Sequence, residues 1–220
     1  MKVTKICSPF PAVSIDDFIP SPLLVREAAE SFDLIDDDNW IRYREGSGQV
    51  QDCLKGRVIA PTPSLLLLDY IATHLDLGSL FDFPTKNIFP DTSHHGGGIM
   101  NTPNANGEGG FLGMHVDAES HAINKNWKRE YSAVLCISEE YNSSFDLLLH
   151  NGKQHARLPY KFNRLNVFKC SNNSWHGFPE ITKGLDRKTL GVMFWSINDE
   201  EDKNNPLRVK ASFNNELSFK

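Results

Sequence analysis

The chain has 220 residues, 40% of them hydrophobic and 23% charged, with 23 Lys and Arg against 28 Asp and Glu for a formal charge of −5. This is the composition of a soluble globular protein with enough apolar side chains for a full core, and the length suits one domain over residues 1–220. An acidic balance without a run of Lys and Arg argues against nucleic acid as the main partner, and no segment is long and apolar enough to span a bilayer. The opening residues Met1-Lys2-Val3-Thr4-Lys5-Ile6-Cys7 lack the apolar stretch of a secretory signal, so a cytoplasmic location is expected. Cys7, Cys53, Cys136 and Cys170 show no metal or redox spacing and are expected to be buried, reduced thiols, Cys136 and Cys170 as small core residues. The sequons at Asn142 and Asn172 are then expected to be unused.

In chain order, Pro11-Ala12-Val13-Ser14-Ile15 predicts a strand. A helix follows, with Ser21 as cap, Pro22 in first position and an apolar face of Leu24, Ala28 and Phe32. A second helix is expected at about residues 63–76, capped by Ser64, where Leu67, Leu68, Ile71 and Leu75 recur at helical spacing. Residues 1–90 thus supply helical support with flanking strands. Glycines crowd residues 96–110, around Asn101-Thr102-Pro103-Asn104-Ala105-Asn106; this reads as a loop, placed to border a site mouth or act as a lid. From 111 to 197 short apolar segments alternate with turn residues such as Asn151-Gly152-Lys153 and Ser171-Asn172-Asn173. That punctuation predicts a mainly β fold, a sandwich or jelly roll, rather than βαβ units. The polar sequence after Asn198, with Pro206, is expected to wrap the outside or fray.

Chemistry concentrates in the β half. On a strand, residues i and i+2 leave the same face, so His115 and Asp117 can converge on one metal ion, and His176 lies far enough along to return on a facing strand. Two histidines and a carboxylate cap one triangular face of an octahedron, suit ferrous iron and leave three adjacent positions open. Arg187 and Thr189 follow, again at i and i+2, offering a planar guanidinium fork and a hydroxyl to a carboxylate. A second H-x-D, His74-Leu75-Asp76, falls in the helical pattern, where i and i+2 diverge by about 200° and cannot share an ion.

This order of residues, with segments 111–117, 129–137, 145–150, 165–178 and 187–195, resembles the Fe(II)/2-oxoglutarate-dependent dioxygenases, nearest to the prolyl-4-hydroxylase-like branch. The resemblance covers roughly half the chain. It implies a double-stranded β-helix core, jelly-roll and cupin-like, with supporting N-terminal α-helices and a catalytic β-core at 111–197. It makes His115, Asp117 and His176 the iron ligands and Arg187 the partner of the distal 2-oxoglutarate carboxylate. Thr189 is its helper, at a position that is often Ser, and Tyr131 is a candidate for a further polar contact to the cosubstrate. The implied reaction uses O2 to decarboxylate 2-oxoglutarate to succinate and carbon dioxide while hydroxylating a C–H bond of a small-molecule or peptidyl substrate. With Asp117 in place of a small residue, halogenation is disfavoured.

Two other readings use the same residues. A cupin-like isomerase or metal-dependent binding protein would hold zinc, manganese or nickel on the three ligands without 2-oxoglutarate; Arg187 and Thr189 argue against it. In a structural or carbohydrate-binding jelly roll the His and Asp residues would be incidental. The substrate is not fixed by the residues, since one scaffold hosts many reactions. Trp127, Tyr141, Trp175 and the glycine-rich loop are candidate pocket walls, and His94 and His95 candidate substrate or supporting groups.

Overall fold

A computed structural model describes residues 2–44, 46–82, 87–94, 98–104, 106–140, 142–182, 184–198, 207–214 and 216–217. The first part runs β1 (Lys2–Ile6), β2 (Ala12–Asp16), α1 (Pro22–Glu30), β3 (Trp40–Tyr43), β4 (Gln49–Leu54), α2 (Thr62–His74), α3 (Leu77–Leu80) and β5 (Phe89–Pro90). The second part is all β: β6 (Gly98–Thr102), β7 (Phe111–Val116), β8 (Trp127–Cys136), β9 (Leu147–His150), β10 (His155–Leu158), β11 (Arg164–Lys169), β12 (Trp175–Phe178), β13 (Arg187–Ile197) and β14 (Ser212–Phe213).

These strands pair antiparallel in the order β1-β2-β11-β8-β13-β6-β4-β7-β12-β9-β10, with β3 on β4, β5 on β13 and β14 on β7. Strand β4 is the corner. Its Asp52 and Cys53 pair with β6 while Gln49 and Val50 pair with β7, so one ribbon of hydrogen bonds curls from a larger sheet into a smaller one. The result is a mainly β jelly-roll fold with a few helices on one side.

Period-2 alternation divides the larger sheet into two environments. Tyr131, Ala133 and Leu135 of β8, Leu165 and Val167 of β11, and Leu190, Val192 and Phe194 of β13 face the helices and pack with Val25, Ala28, Leu67, Leu68 and Ile71. The alternate residues face the concave side. Helix α1 starts as the sequence leads one to expect: Ser21 accepts a hydrogen bond from the Leu24 N–H at 3.3 Å, and Pro22, which has no N–H to lose, fills the first turn.

Three expectations need correction. Helix α2 begins at Thr62, with Pro61 at its cap position and no side-chain cap, and Ser64 lies buried inside the helix. The glycine-rich stretch is not wholly loop: Gly98–Thr102 forms β6, paired with Gly191 to Arg187 of β13, because the Ile99-Met100 core outweighs the flanking glycines once it has neighbours on both sides. Cys7 is exposed rather than buried, and Cys53 and Cys170 are only partly covered; all four thiols are free. The second H-x-D is split by the helix end, with Asp76 capping α3 through the Ser79 N–H at 3.2 Å. Among the described residues no helix is long and apolar enough to cross a membrane.

Ile71 is fully buried between α2 and the sheet. Truncating it leaves a cavity the surrounding strands cannot refill, so Ile71→Ala is expected to cost about 2–5 kcal/mol of unfolding free energy. A urea titration checks this, read as a lower midpoint at unchanged slope. A loss below about 1 kcal/mol would mean that the helices do not fold with the sheet.

Candidate active site

The register of β7 with β12 sets His115 directly opposite His176. Asp117 is the first residue past β7, and each of the three offers one ligand atom within 4.8 Å of the other two. Neither imidazole is ambiguous. His115 Nδ1 lies 3.0 Å from the Gly113 carbonyl and His176 Nδ1 2.9 Å from the Ser174 carbonyl. A carbonyl only accepts, so both Nδ1 atoms carry a proton, and Nε2 is the atom of each ring left to meet a metal. Those Nε2 atoms face the carboxylate, His115 Nε2 at 3.5 Å from Asp117 Oδ1 and His176 Nε2 at 3.9 Å from Oδ2. Burial pushes His176 down to about 4, keeping it neutral as a ligand must be. For Asp117 burial acts upward, but Arg129, His176 and His115 outweigh it and hold the carboxyl well below the usual carboxylate range. Two imidazole nitrogens and one ionised carboxylate form a set that fits ferrous iron.

The site opens into a cavity of about 330 Å³. Arg187 and Thr189 reach it from β13, on the same concave face as Val134 and Ser132 of β8. Arg187 is 4% exposed, its Nε donates to the Phe145 carbonyl at 3.0 Å, and its guanidinium lies 4.2 Å from the Phe178 ring centroid. Among the described residues it has no ion-pair partner, and burial lowers its pKa. A buried cation is costly unless an anion joins it. Thr189 Oγ1 is buried without a hydrogen-bond partner. A cation and an orphaned hydroxyl, two residues apart on one cavity wall, form a receptor for a carboxylate.

Tyr131 is not part of that receptor. It precedes Ser132 on β8, so alternation turns it to the opposite layer, where it is 2% exposed and packs 4.8 Å from the Phe81 ring. Trp127 is likewise elsewhere, edge-on to Phe89, and Trp175 does not line the cavity. Tyr141, His95, Gly96 and Gly97 lie outside the described residues. His94 does reach the cavity; its Nε2 accepts from Arg57, so Nδ1 carries the proton, and that atom is buried without a partner.

Several contributors were missed by sequence reasoning. Tyr43, Gln49 and Gln51 come from β3, β4 and their turn, and polar residues in short early strands carry no motif. Of the closing sequence, residues 207–214 wrap onto the site rather than fray: Arg208 donates to the Asp117 carbonyl at 2.6 Å, β14 pairs with Val116 and His115, and Phe213 stacks on the His115 ring at 5.2 Å. Gly48 and Gly113 are required beneath it. A Cβ on Gly48 would stand 2.7 Å from the Phe213 ring, and one on Gly113 would stand 2.6 Å from the Gly48 carbonyl. Finally, Arg129 pairs with Asp117 Oδ2 at 3.0 Å, and Ser132 donates to the same oxygen at 3.0 Å.

Comparisons with known proteins point the same way. Residues 100–195 match the family described as the 2OG-Fe(II) oxygenase superfamily. No curated protein matches the sequence. Among solved structures, HygX from Streptomyces hygroscopicus with nickel and 2-oxoglutarate bound superposes with a TM-score of 0.58 at 8% identity, covering 94% of each chain. The viral collagen prolyl hydroxylase of Paramecium Bursaria Chlorella virus-1, as its 2-oxoglutarate complex, gives 0.55 at 11%, covering 87% of this chain and 99% of that one. A prolyl hydroxylase of Trichoplax adhaerens in complex with a hypoxia inducible factor peptide gives 0.55 at 15%, covering 88% and 86%. Residues 100–195, the segment that carries the site, thus match the 2OG-Fe(II) oxygenase superfamily, and the chain shares the fold of solved structures that bind 2-oxoglutarate.

Proposed function

We propose that His115, Asp117 and His176 hold Fe(II), that Arg187 and Thr189 bind the distal carboxylate of 2-oxoglutarate, and that the enzyme hydroxylates a small molecule or a single side chain of a peptide. The observation that carries this reading is the pairing of a His2Asp cluster with the buried Arg187 guanidinium and the unpartnered Thr189 hydroxyl in one cavity. Bound iron would activate O2 for decarboxylation of the cosubstrate and oxidation of a C–H bond. The protein's own part is orientation and exclusion of water. Gly113 and Ser174 carbonyls fix the imidazole tautomers, Arg187 positions the diacid by its far end, and Phe168, Phe178, Leu147 and Met100 give the cavity apolar walls.

The size of the cavity bears on the substrate. About 330 Å³ is at the small end of ligand pockets and must hold the diacid as well, so only a small metabolite or one extended side chain fits beside it. The neighbours fall on both sides of that choice, one in complex with a peptide and HygX also solved with hygromycin B. Beside the iron site the lining offers Tyr43, Gln49, Gln51, Lys55 and His94, groups that hydrogen-bond carbonyls, hydroxyls and carboxylates.

Two measurements test the assignment. Anaerobic addition of Fe(II) and then 2-oxoglutarate to the metal-free protein is expected to produce a visible charge-transfer band, lost in Asp117→Ala while far-UV circular dichroism is unchanged. Metal uptake without the band would favour the cupin-like binding protein. In Arg187→Ala, removal of a buried charge-assisted contact is expected to cost about 2–5 kcal/mol of 2-oxoglutarate binding, with Fe(II) affinity little altered. An unchanged 2-oxoglutarate requirement would remove Arg187 from the clamp.

A further inference from the structure

We infer that Arg129 is the positioning residue that makes Asp117 a one-oxygen ligand and so keeps the cosubstrate's coordination position open. The inference rests on the iron site proposed above and concerns a residue outside the ligand set and the clamp.

The backbone is built to bring Arg129 there. Strict alternation along β8 would place Arg129 with Tyr131 and Ala133 against the helices. Instead the pairing with β13 passes from Phe194 opposite Tyr131 to Trp195 opposite Arg129, leaving Glu130 as an extra residue. This β-bulge reverses the parity of the strand and turns Arg129 toward Asp117, the kind of re-aiming that bulges beside active sites perform. The extra residue is itself secured: the Glu130 carbonyl accepts from Cys170 N–H at 2.8 Å, and its carboxylate accepts from Ser196 Oγ at 2.8 Å.

The side chain is then held along its length. Arg129 is 7% exposed, its guanidinium carbon sits 5.0 Å from the Trp195 ring centroid, and Nη1 lies 3.6 Å from Met193 Sδ. Its ion-pair partner is Asp117 Oδ2 at 3.0 Å, the oxygen to which Ser132 also donates at 3.0 Å. Oδ1, by contrast, stands 3.5 Å from His115 Nε2. The two carboxylate oxygens therefore have different duties. Oδ2 is committed to a cation and a hydroxyl, and Oδ1 is left for a metal. Carboxylates bind metals through one oxygen or two, and a second Asp117 oxygen on the iron would fill a position of the open face that a chelating cosubstrate needs.

The test uses the purified full chain with Mn(II) as a redox-silent probe, measuring Mn(II) affinity calorimetrically and then 2-oxoglutarate affinity of the Mn(II)-loaded protein. Arg129→Met keeps the volume and the apolar stack on Trp195 but frees Oδ2. Expected is Mn(II) binding at least as tight as in the unaltered protein, because a nearby cation has gone. 2-Oxoglutarate binding is expected to weaken about 10–100-fold, the order by which loss of a residue supporting a metal ligand ordinarily alters metal affinity or activity, here falling on the cosubstrate because its coordination position is what closes. Arg129→Lys, with one ammonium to engage Oδ2, should fall between and decides the matter alone if Arg129→Met does not fold. Near-unaltered 2-oxoglutarate affinity in the folded variants would overturn the inference, as would parallel loss of Mn(II) and 2-oxoglutarate, which marks a merely structural role. An unaltered protein that binds no Mn(II) would overturn the iron site itself, whereas the variants bear on Arg129 alone.

Discussion

Register between β7 and β12 is the constraint on which the rest depends. His115 and His176 share the concave face because they are direct partners across that pair. Side chains alternate along a strand, so a one-residue slip would send one imidazole out of the cavity and leave Asp117 with a single nitrogen beside it. The register is pinned by features that tolerate no slip. Gly177 would carry its Cβ into the Leu112 carbonyl at 2.5 Å, and Gly113 lies against Gly48. Glycine at these points lets backbones approach where a larger residue would force the strands apart. The catalytic geometry is thus a by-product of backbone packing as much as of the ligands.

The electrostatics follow from burying few charges of mixed sign. Around Asp117 the cations outnumber the anions among the described residues: Arg129 pairs with it, Arg187 lines the same cavity, and Arg208, itself paired with Glu119, donates to its backbone carbonyl. A divalent metal deepens the excess, and a dianionic cosubstrate relieves it. Binding therefore has an electrostatic logic: the cosubstrate carboxylates would meet a pocket short of negative charge, where Asp146, the acid that acts on Arg187, is itself engaged by Arg157 and the Tyr160 N–H. Asp117 remains ionised throughout because Arg129 stays beside it.

Much of the site could be read from sequence because it obeys period-2 logic. His115 and Asp117, and Arg187 and Thr189, are i and i+2 pairs on strands, and the structure puts each pair on one face. Tyr131 failed by the same rule, since it sits one residue from the cavity-facing Ser132. Arg129 was out of reach for the opposite reason: a bulge at Glu130 breaks the alternation, and nothing local in Arg129-Glu130-Tyr131-Ser132 announces it. Ser64 was taken for a cap because serine is a good one, but Thr62-Pro63 already starts the helix. β6 was hidden by composition. Glycines on both sides mask a five-residue strand that forms only because β13 and β4 offer pairing on both its edges.

The strap that ends in β14 has a consequence for how such an enzyme changes its preferences. Ala211 and Phe213 line the cavity, yet they are joined to the fold by a two-residue ladder on β7 and by contacts through Arg208. They lie off the main strand path, at the edge of the sheet, and outside the helix-facing core. A wall made by a peripheral segment can vary where it is held loosely, but Phe213, stacked on the His115 ring over Gly48, ties one point of it to the His2Asp cluster. The stretch that shapes this wall is thereby largely separate in sequence from the strands that carry the cluster and Arg187, and Phe213 is where the two meet.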